Sequence, residues 1–275
     1  MTHQEKSVRR SLDSLRSLGM TKHEVIFMEL LYSQNFKILA SSVDRYGRLK
    51  PAILLSYIQE VAGVHGSELG ASFEALAQRG LIWAIIRQKV QITRMPTQGE
   101  TIRLETWAMP ATRTYFPRST VAYDADGQEI FRSLGMWVLM DVNSRSMVLP
   151  GKTDIQVQGL LTGSELKAPG SLAPKNLTHT TSRQVSYSDL DRNGHMNNTR
   201  CLEWISDLLP SAFHAGHVPA EVIVCYHAEG REGDLLNLHW QIQPDGSIQV
   251  DAYREGEAAQ RIFTAQIRFD QVSTI

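Results

Sequence analysis

The sequence contains little of what marks several classes of protein. Its 275 residues include two cysteines, Cys201 and Cys225, which are too few for a disulfide framework and stand at no metal-ligand spacing. Apolar runs such as residues 81–86 are about six residues long, whereas a membrane-spanning helix needs about 20. The first twenty residues contain no apolar core of a signal peptide. We therefore expect a soluble, cytoplasmic protein with no membrane partner.

Charge of one sign is also absent, since 28 basic and 29 acidic residues leave a formal charge of −1. A chain so near neutrality has no overall attraction for nucleic acid, and we expect none as a partner. The sequence has no glycine-rich phosphate loop, nucleotide motif or G-x-S-x-G elbow, and we expect no cofactor. His214 and His217 are three residues apart, but no third ligand follows at a suitable spacing. A loop is therefore favoured over a metal site.

The order of predicted elements is the same in both halves of the chain. Each half has a strand, then a helix, then a series of strands. The first half has strand-like runs at residues 34–41, 81–94, 99–109, 115–124 and 129–141, and a helix that begins near Lys50. The second half has strand-like runs at residues 183–190, 221–226, 235–243, 248–254 and 261–269, and a short helix at 197–210. This order predicts a duplicated α+β domain in which each half wraps an antiparallel sheet around one helix.

A stretch rich in glycine and proline separates the two halves. We divide the chain into an N-terminal extension (1–33), a first half (34–149), a linker (150–177) and a second half (178–275). A single α/β domain is the alternative, but it requires strands and helices to alternate throughout, and they do not. The spacing of Leu12, Leu15 and Leu18 is compatible with one helix in the extension.

The predicted helix of the first half has an apolar face and recognisable ends. Pro51 suits its first turn, and Gly66 and Gly70 suit its end. We expect the apolar face to pack on the sheet of the same half. That face consists of Leu54, Leu55, Ile58, Val61, Ala62 and His65.

One dense polar cluster lies in the second half, at residues 188–198, between a predicted strand and a predicted helix. Asp191, Asn193 and His195 alternate, so in an extended chain their side chains would project to one side. Residues 197–198 stand where a helix N-cap is expected, and the N–H groups of that first turn are possible donors to an oxyanion. The alternative is a structural turn, because Asp, Asn and an Asn-Gly pair are common in turns. That alternative leaves His195 unexplained.

Two segments resemble the acyl–acyl-carrier-protein (acyl-ACP) thioesterases of plants and bacteria. The run DLDRNGHMNN at residues 189–198, followed by Trp204, closely resembles the family's catalytic segment D-L-D-x-N-x-H-x-N-N. The run LIWAIIRQKVQITRMPTQGETIRLETW at residues 81–107 resembles a second family stretch. Its matches are Trp83, Arg87, Arg94, Pro96, Gly99, Thr106 and Trp107. The resemblance extends from about residue 36 to residue 269.

The resemblance implies a tandem double hotdog fold, in which each half is a long helix wrapped by an antiparallel sheet. It implies that the first half binds the acyl chain and that the second half carries the catalytic groups. The implied reaction is hydrolysis of the thioester of fatty acyl-ACP, which releases a free fatty acid and terminates fatty acid synthesis. A monomer and a homodimer both remain open, since one chain supplies the domain pair that single hotdogs obtain by dimerising.

The resemblance also implies a catalytic set. Its members are Asp191, Asn193, His195 and Glu229. Glu229 matches a Glu in the family's Y-R-R-E-C segment, which here is YHAEG at residues 226–230, so Gly230 replaces the family's cysteine. A cysteine–histidine mechanism through an acyl-enzyme would need a thiol at that position. Cys201 and Cys225 are instead typical of small core residues.

We therefore expect water to be the nucleophile. Glu229 would accept its proton, with a pKa that burial raises from about 4.3 toward neutrality. Asn193 and His195 would hold the water or polarise the carbonyl, and Asp191 would orient them. Direct attack by Asp191, which would give an anhydride, remains the alternative.

A hydrocarbon tail requires an apolar pocket. Candidate pocket residues are Leu54, Ile58, Trp83, Met136 and Trp137, with an ordinary core position as the alternative for each. Residues 79–118 include seven basic and two acidic residues, a local balance of +5, and such a surface would attract an acidic carrier protein. Candidate docking residues are Arg87, Lys89, Arg94 and Arg103, with a solvated strand face as the alternative.

Two other functions share parts of this pattern. A hotdog thioesterase that acts on acyl-CoA has the same chemistry but needs a pocket for the nucleotide. A non-catalytic hotdog that senses acyl thioesters would lack the acid, amide and imidazole set and usually gains a pair of DNA-binding helices. The presence of that set in this sequence favours an enzyme.

Overall fold

The computed structural model describes residues 30–155, 157–161, 166–173, 176–256 and 260–272. The helix expected around Leu15 lies outside the described residues. The first half contains β1 (Tyr32–Lys37), α1 (Pro51–Glu68), α2 (Phe73–Ala77), β2 (Leu81–Ile92), β3 (Thr101–Ala108), β4 (Phe116–Tyr123), β5 (Glu129–Asp141) and β6 (Met147–Val148). The second half contains β7 (His179–Gln184), α3 (Arg200–Ser206), α4 (Ser211–Gly216), β8 (His217–Tyr226), β9 (Leu235–Ile242), β10 (Ile248–Arg254) and β11 (Gln260–Gln271). None of the described helices is long and apolar enough to cross a membrane.

The strands form one antiparallel sheet that passes through both halves. Its order is β1-β3-β4-β5-β2-β8-β11-β10-β9-β7, and β6 pairs with β5. The order is the same from either edge when β1 to β5 are matched with β7 to β11. The two halves meet where β2 pairs with β8, from Arg87 opposite Cys225 to Gln91 opposite Glu221. The sequence therefore folds as two copies of one arrangement joined into a single sheet.

Helix α1 forms as its sequence predicts. Pro51 occupies the first turn, where its missing N–H removes no hydrogen bond. Gly70 follows the end of the helix with φ +78°, a left-handed conformation that favours glycine. The predicted apolar face, including His65, is buried. Burying one Leu or Ile side chain contributes roughly 1.5–3 kcal/mol, so this face fixes α1 on the sheet.

The helical part of the second half is shorter than the resemblance implies. Helix α3 has seven residues and α4 has six. Pro210 stands between them, and a proline cannot continue a helix because it lacks the N–H donor. Helix α3 nevertheless buries Trp204 in the same hydrophobic core that contains α1. The two halves share this core as well as their sheet.

The predicted strands match the observed ones except at the ends of the first strand of each half. Residues 34–41 are predicted as a strand, but β1 ends at Lys37 and a turn of 3-10 helix covers Ala40–Ser42. Residues 183–190 were expected to form a strand, but β7 ends at Gln184 and a turn of 3-10 helix covers Tyr187–Asp189. The Ser186 side chain and the Asp189 side chain each accept a backbone N–H of this turn. These local hydrogen bonds compete successfully with the sheet, so this part of the prediction is wrong.

The linker packs against several elements. Near its start, Ile155 packs with Ala71 and Leu76, whereas residues 169–173 lie along the sheet. Its carbonyl groups accept hydrogen bonds from Arg87 of β2 at Pro169 (3.2 Å) and from Gln249 of β10 at Ala173 (3.1 Å). Cys225 of β8 lies 3.7 Å from the carbonyl of Gly170. The linker thus covers strands from both halves.

Candidate functional site

The polar cluster after β7 forms a tight turn. The N–H of Asp191 donates to the carbonyl of His195 (2.8 Å), and the N–H of Gly194 donates back to the carbonyl of Asp191 (3.0 Å). Gly194 has φ +74°, which a side chain would disfavour. The turn expected at the Asn-Gly pair is therefore present.

The Asp191 carboxylate holds the backbone of this turn. Its Oδ1 atom accepts the N–H groups of Asn193 (2.8 Å) and His195 (3.3 Å), and its Oδ2 atom lies 3.5 Å from Nδ2 of Asn193. The expectation that these three residues alternate along an extended chain is wrong, because a carboxylate that accepts the following N–H groups bends the chain. Asp191 fixes the loop rather than the imidazole ring.

His195 and Glu229 are brought together by pairing between their backbones. His195 pairs with Arg231 as an isolated antiparallel bridge, and the N–H of Met196 donates to the carbonyl of Gly230 (2.8 Å). The side chains then meet, with Nε2 of His195 3.2 Å from Oε2 of Glu229. Two of the predicted catalytic residues thus form one imidazole–carboxylate pair.

Arg145 is the member of this site that the sequence did not indicate. It lies in the turn between β5 and β6 in the first half, has φ +55°, and its Nη2 atom forms an ion pair with Oε2 of Glu229. The Glu229 side chain is 33% exposed. The expectation that Glu229 is buried is therefore met only in part, and it also has an ion-pair partner. No local signal in the sequence predicts this arginine, because it comes from the other half of the chain.

The surroundings of His195 favour its neutral form. Burial lowers the pKa of His195 below its ordinary value of 6.5, Asp191 opposes this shift, and the positive charges of Arg145 and Arg231 reinforce it. A neutral imidazole whose Nε2–H group donates a hydrogen bond to Glu229 gives both side chains a hydrogen-bond partner at neutral pH.

The helix start after the turn differs from the prediction. Helix α3 begins at Arg200, three residues after Asn197. The Oδ1 atom of Asn197 accepts the N–H of Thr199 (2.9 Å) and its hydroxyl (2.8 Å). The expectation that the helix starts at Asn197 is therefore wrong, and the binding of an oxyanion by N–H groups of its first turn stays a prediction.

The cysteines are placed as core residues. Cys201 is buried, its Sγ donates to the carbonyl of Asn198 (3.0 Å), and burial raises the pKa of its thiol to about 12. A thiol with that pKa is not ionised at neutral pH and is a poor nucleophile. A Cβ atom at Gly230 would lie 3.1 Å from Cβ of Met196, so a cysteine there would require Met196 to shift.

We expect Cys201→Ala to change kcat/KM by less than about threefold, because the thiol is neutral and buried. Steady-state hydrolysis together with the thermal unfolding temperature tests this. A Cys201→Ala protein that remains folded but has no activity would contradict the assignment of Cys201 as a core residue.

A cavity of about 500 Å³ lies next to the turn. We call it the tryptophan cavity, because Trp83 of β2 and Trp137 of β5 lie in its wall. Its wall also contains the last turns of α1, residues of α2, Phe116, Arg118, Arg192 and Asn193. The cavity therefore connects the helix and sheet of the first half with the predicted catalytic loop of the second.

Arg192 connects the loop to the wall of this cavity. Its guanidinium carbon lies 4.1 Å from the ring centre of Phe73 in α2, and its Nη2 atom lies 3.6 Å from Oε1 of Glu74. These contacts place the neighbouring Asn193 at the cavity wall.

The predicted pocket residues divide into two groups. Trp83 and Trp137 lie in the cavity wall. Leu54 and Ile58 instead lie in the main core, because the cavity follows the later turns of α1. Met136 is buried but does not line the cavity, since successive side chains of a strand point to opposite faces. For these last three residues the pocket assignment is corrected.

The predicted docking residues all have partners within the protein. Lys89 forms an ion pair with Glu221 (2.9 Å), and Arg94 forms one with Glu100 (2.9 Å). Arg103 pairs with Glu105, and Arg87 donates to the linker. The local charge balance of +5 omitted carboxylates that approach from distant parts of the chain, and a role in docking remains a prediction.

His214 lies in α4, and His217 is the first residue of β8. The His214 ring is hydrogen-bonded to the carbonyl of Ser206 (3.0 Å), and the His217 ring to that of Phe213 (2.9 Å). Across the described ranges, no cluster of three or more possible metal ligands is found.

The first half contains a second copy of the turn at residues 191–195. Residues 44–48, DRYGR, correspond to residues 191–195, DRNGH. The N–H of Asp44 donates to the carbonyl of Arg48 (2.8 Å), and Oδ1 of Asp44 accepts the N–H groups of Tyr46 (2.8 Å) and Arg48 (3.0 Å). Gly47 has φ +75°. The shared D-R-x-G sequence was the signal that could have identified this repeat.

The copy lacks the side chains that are predicted to be catalytic. Tyr46 stands in the place of Asn193, and Arg48 stands in the place of His195. Arg48 bridges to Thr97 as His195 bridges to Arg231, which puts Met95 in the place of Glu229. Of these two turns, only the one at residues 191–195 therefore brings an imidazole, an amide and a carboxylate together.

Two family domain models match the chain. The N-terminal domain of acyl-ACP thioesterases matches residues 29–150, and their C-terminal domain matches residues 173–271. A chloroplastic palmitoyl-acyl carrier protein thioesterase from Gossypium hirsutum is 26% identical over 226 residues, which are 76% of this chain and 54% of that protein. A chloroplastic oleoyl-acyl carrier protein thioesterase from Coriandrum sativum is 23% identical over 227 residues, 76% of this chain and 62% of that protein. The chain spans little more than half the length of these curated relatives.

Solved structures share the fold. An acyl-ACP thioesterase from Bacteroides thetaiotaomicron has a TM-score of 0.81 at 23% identity, with 91% of this chain and 100% of that chain covered. A 12:0-ACP thioesterase from Umbellularia californica has a TM-score of 0.75 at 18% identity, with 88% and 98% covered. The arrangement of two joined halves is thus a known one.

Proposed function

The chain belongs to the acyl-ACP thioesterase family, and from this premise we propose that it hydrolyses the thioester between a fatty acyl group and acyl carrier protein. The products are a free fatty acid, whose release ends elongation of that chain, and the carrier thiol. One observation carries the proposal: the tryptophan cavity reaches the loop that holds Asn193, next to the pair formed by His195 and Glu229 at 3.2 Å.

Glu229 is the general base in this proposal. Its Oε2 atom contacts both His195 and Arg145, which leaves Oε1 to accept a proton from water. The water oxygen then attacks the carbonyl carbon to form a tetrahedral intermediate. The carbon–sulfur bond of this intermediate breaks, and the proton held by Glu229 passes to the leaving sulfur to give the carrier thiol, which returns Glu229 to its ionised form. The N–H group at Nε2 of His195 donates a hydrogen bond to Glu229 and thereby holds that carboxylate in place.

Asn193 stabilises the carbonyl oxygen of the thioester during the reaction, and Asp191 positions Asn193. The amide of Asn193 at the cavity wall donates to the carbonyl oxygen, which becomes negative in the transition state. Asp191 accepts the N–H groups of Asn193 and His195, so it positions both side chains. Direct attack by Asp191 is disfavoured because its carboxylate is engaged in these hydrogen bonds.

The tryptophan cavity holds the acyl chain. Trp83 packs edge-on against Phe116, with ring centres 5.0 Å apart, and Trp137 lies in the same wall. Each methylene group buried against such a surface contributes about 0.8 kcal/mol. The length of the chain that fits is therefore a property of the first half, whereas bond cleavage belongs mainly to the second.

A comparison of acyl-ACP with acyl-CoA thioesters of graded chain length tests the proposal. We expect a higher kcat/KM for acyl-ACP at each length that is accepted. Equal or faster hydrolysis of acyl-CoA would assign the chain to the acyl-CoA alternative. No hydrolysis of either, with the acyl thioester still bound, would favour the non-catalytic alternative.

Raised salt is expected to increase KM for acyl-ACP by at least about threefold, because the basic residues of β2 and β3 would attract an acidic carrier and salt screens that attraction. The same salt should leave KM for acyl-CoA less changed. Arg94→Gln should reduce the salt dependence, with Arg268→Gln on β11 as the control. An unchanged KM for acyl-ACP would contradict docking at these residues.

A further inference from the structure

Arg118 of β4 lies in the wall of the tryptophan cavity without an acidic partner. Its Nη1 atom contacts Nδ1 of His65 (2.9 Å) and Oγ1 of Thr106 (3.4 Å). Within the part of the chain that the structure describes, no carboxylate lies within ion-pair distance of it, and its Nη2 and Nε atoms have no hydrogen-bond partner. Burial lowers the pKa of Arg118 only to about 10, so the group is still charged at neutral pH.

His65 supports Arg118 as a neutral residue. A guanidinium group can only donate, so Nδ1 of His65 accepts from it and the ring proton lies on Nε2. Burial and the charge of Arg118 lower the pKa of His65 to about 4, which agrees with this form. His65 therefore fixes the guanidinium in position but does not neutralise its charge.

Arg118 belongs to a band of buried polar side chains across the sheet. Thr106 of β3 is opposite Thr120 of β4, and Thr120 is opposite Ser133 of β5. These hydroxyl groups have partners: Thr120 donates to Thr106 (3.1 Å), and Ser133 donates to the carbonyl of Lys89 (3.0 Å). The unused donors of this region are those of Arg118, together with the buried Nε2 of His65 and Nε1 of Trp107. Among them only Arg118 carries a charge.

The register of the sheet places Arg118 at the inner part of the cavity. Along β5, Trp83 is opposite Leu139, then Phe116 is opposite Trp137, then Arg118 is opposite Gly135. Leu139 is nearest the end of β5 that leads to the turn with Arg145, the partner of Glu229. Four residues of a strand span about 13 Å, so an acyl chain that extends inward from the catalytic loop passes both tryptophans before it reaches Arg118.

A plain hydrocarbon chain provides no acceptor for these donors, and an unpaired buried charge is unfavourable. We propose that Arg118 binds an oxygen atom carried by the distal part of the acyl chain, so that this enzyme prefers thioesters of hydroxy, oxo or carboxy acyl chains over plain ones. This inference rests on the proposed function, because it concerns the substrate of the same site. A hydrogen bond to a charged group corresponds to a preference of about 10- to 150-fold.

The test uses ACP thioesters of equal chain length. One chain is unsubstituted, one has a hydroxyl or oxo group in its distal half, and one has a terminal carboxylate. We expect at least one oxygen-bearing thioester to have a kcat/KM at least about tenfold above that of the plain one. A higher value for the carboxylate than for the hydroxyl or oxo chain identifies an anion as the ligand, and the reverse identifies a neutral oxygen.

Arg118→Met is the decisive variant, because methionine fills a similar space without a charge. We expect it to reduce the preference, measured as the ratio of kcat/KM for the oxygen-bearing and plain thioesters, to less than about twofold. Arg118→Lys should keep part of the preference. Arg268→Met, which removes an arginine of β11 that pairs with Asp270, should keep all of it.

Two results would overturn the inference while leaving the proposed function intact. One is a wild-type enzyme that hydrolyses the plain chain as well as the oxygen-bearing ones, which would mean that water fills the site. The other is a preference that persists in Arg118→Met. If that variant does not fold, the wild-type preference and the rise in Tm caused by each free acid decide the question. Absence of hydrolysis with every thioester would contradict the proposed function, and the Tm measurement would still test Arg118.

Discussion

Replacing Glu229 with glutamine is expected to lower kcat/KM by about 100- to 10,000-fold, the contribution of a general base. Glutamine has nearly the same shape and can still accept a hydrogen bond from His195, which lies 3.2 Å from the present carboxylate. It cannot accept a proton from water, and it leaves Arg145 without its ion pair. Because substrate contacts in the cavity are unchanged, the loss should occur mainly in kcat.

Glu232→Gln is the matched control for this variant. Glu232 is an exposed residue of the same connection between β8 and β9, so its substitution removes the same charge without touching His195. We expect unchanged activity. If Glu229→Gln retained more than about a tenth of the wild-type kcat/KM, the water-activating role would have to pass to another group.

The pH profile provides a further measurement on the same pair. The pKa of His195 lies below 6.5 because of its burial, so the ring is neutral from that pH upward. As the pH falls through this lowered pKa, the ring becomes positive beside Glu229 and makes it a weaker base. Wild-type kcat/KM should therefore fall only on the acidic side of pH 6.5 and change little just above neutrality.

The parts of the fold that were predictable are those with a local cause. Helix α1 follows from Pro51, an apolar face and Gly70, all within about twenty residues. Strands β5 and β10 have the predicted bounds because alternating side chains and turn residues define them. A periodic pattern of apolar residues is sufficient to predict an element when residues close in sequence determine its structure.

The parts that were not predictable depend on residues distant in sequence. Arg145 and Glu229 are 84 positions apart, and Arg118 and His65 are 53 apart. Only the sheet topology brings each pair together, so no spacing rule could indicate either contact. The turn at Asp191 is different, because its cause is local. A carboxylate that accepts the N–H groups of the following residues favours a turn, and this preference outweighs the extended conformation that the alternating side chains indicate.

The repeated turn has the same hydrogen bonds in both halves but carries different side chains. In each copy the aspartate, Asp44 or Asp191, accepts backbone N–H groups, so the turn itself is a structural feature of the fold. The chemistry that each turn allows depends on the side chains that it carries. The second copy presents His195 beside Glu229, whereas the first presents Arg48 where Met95 replaces the carboxylate.

Asn193→Ala is expected to lower kcat by about 100- to 1000-fold, which is the usual cost of losing one donor to a developing oxyanion. Asn193 is exposed and lines the cavity. Among the described residues, the only hydrogen bond of its side chain is a long one, from Nδ2 to Oδ2 of Asp191 (3.5 Å). The free energy of unfolding should therefore change little. KM should also change little, because the hydrogen bond strengthens only as the carbonyl oxygen becomes negative.

The corresponding residue of the other turn separates this effect from a structural one. Tyr46 occupies the same turn position, donates its hydroxyl to the carbonyl of Ser211 (2.7 Å) and packs its ring against Arg48. Tyr46→Ala therefore loses more packing than Asn193→Ala and should lower Tm more, yet it should keep the wild-type kcat. If both variants lost activity in proportion to their loss of stability, Asn193 would be a residue of the turn and not of the reaction. If Asn193 is catalytic, Asn193→Ala lowers kcat more than Tyr46→Ala does, whereas Tyr46→Ala lowers Tm more than Asn193→Ala does. The reason is that the side chain of Asn193 makes its contacts with the substrate.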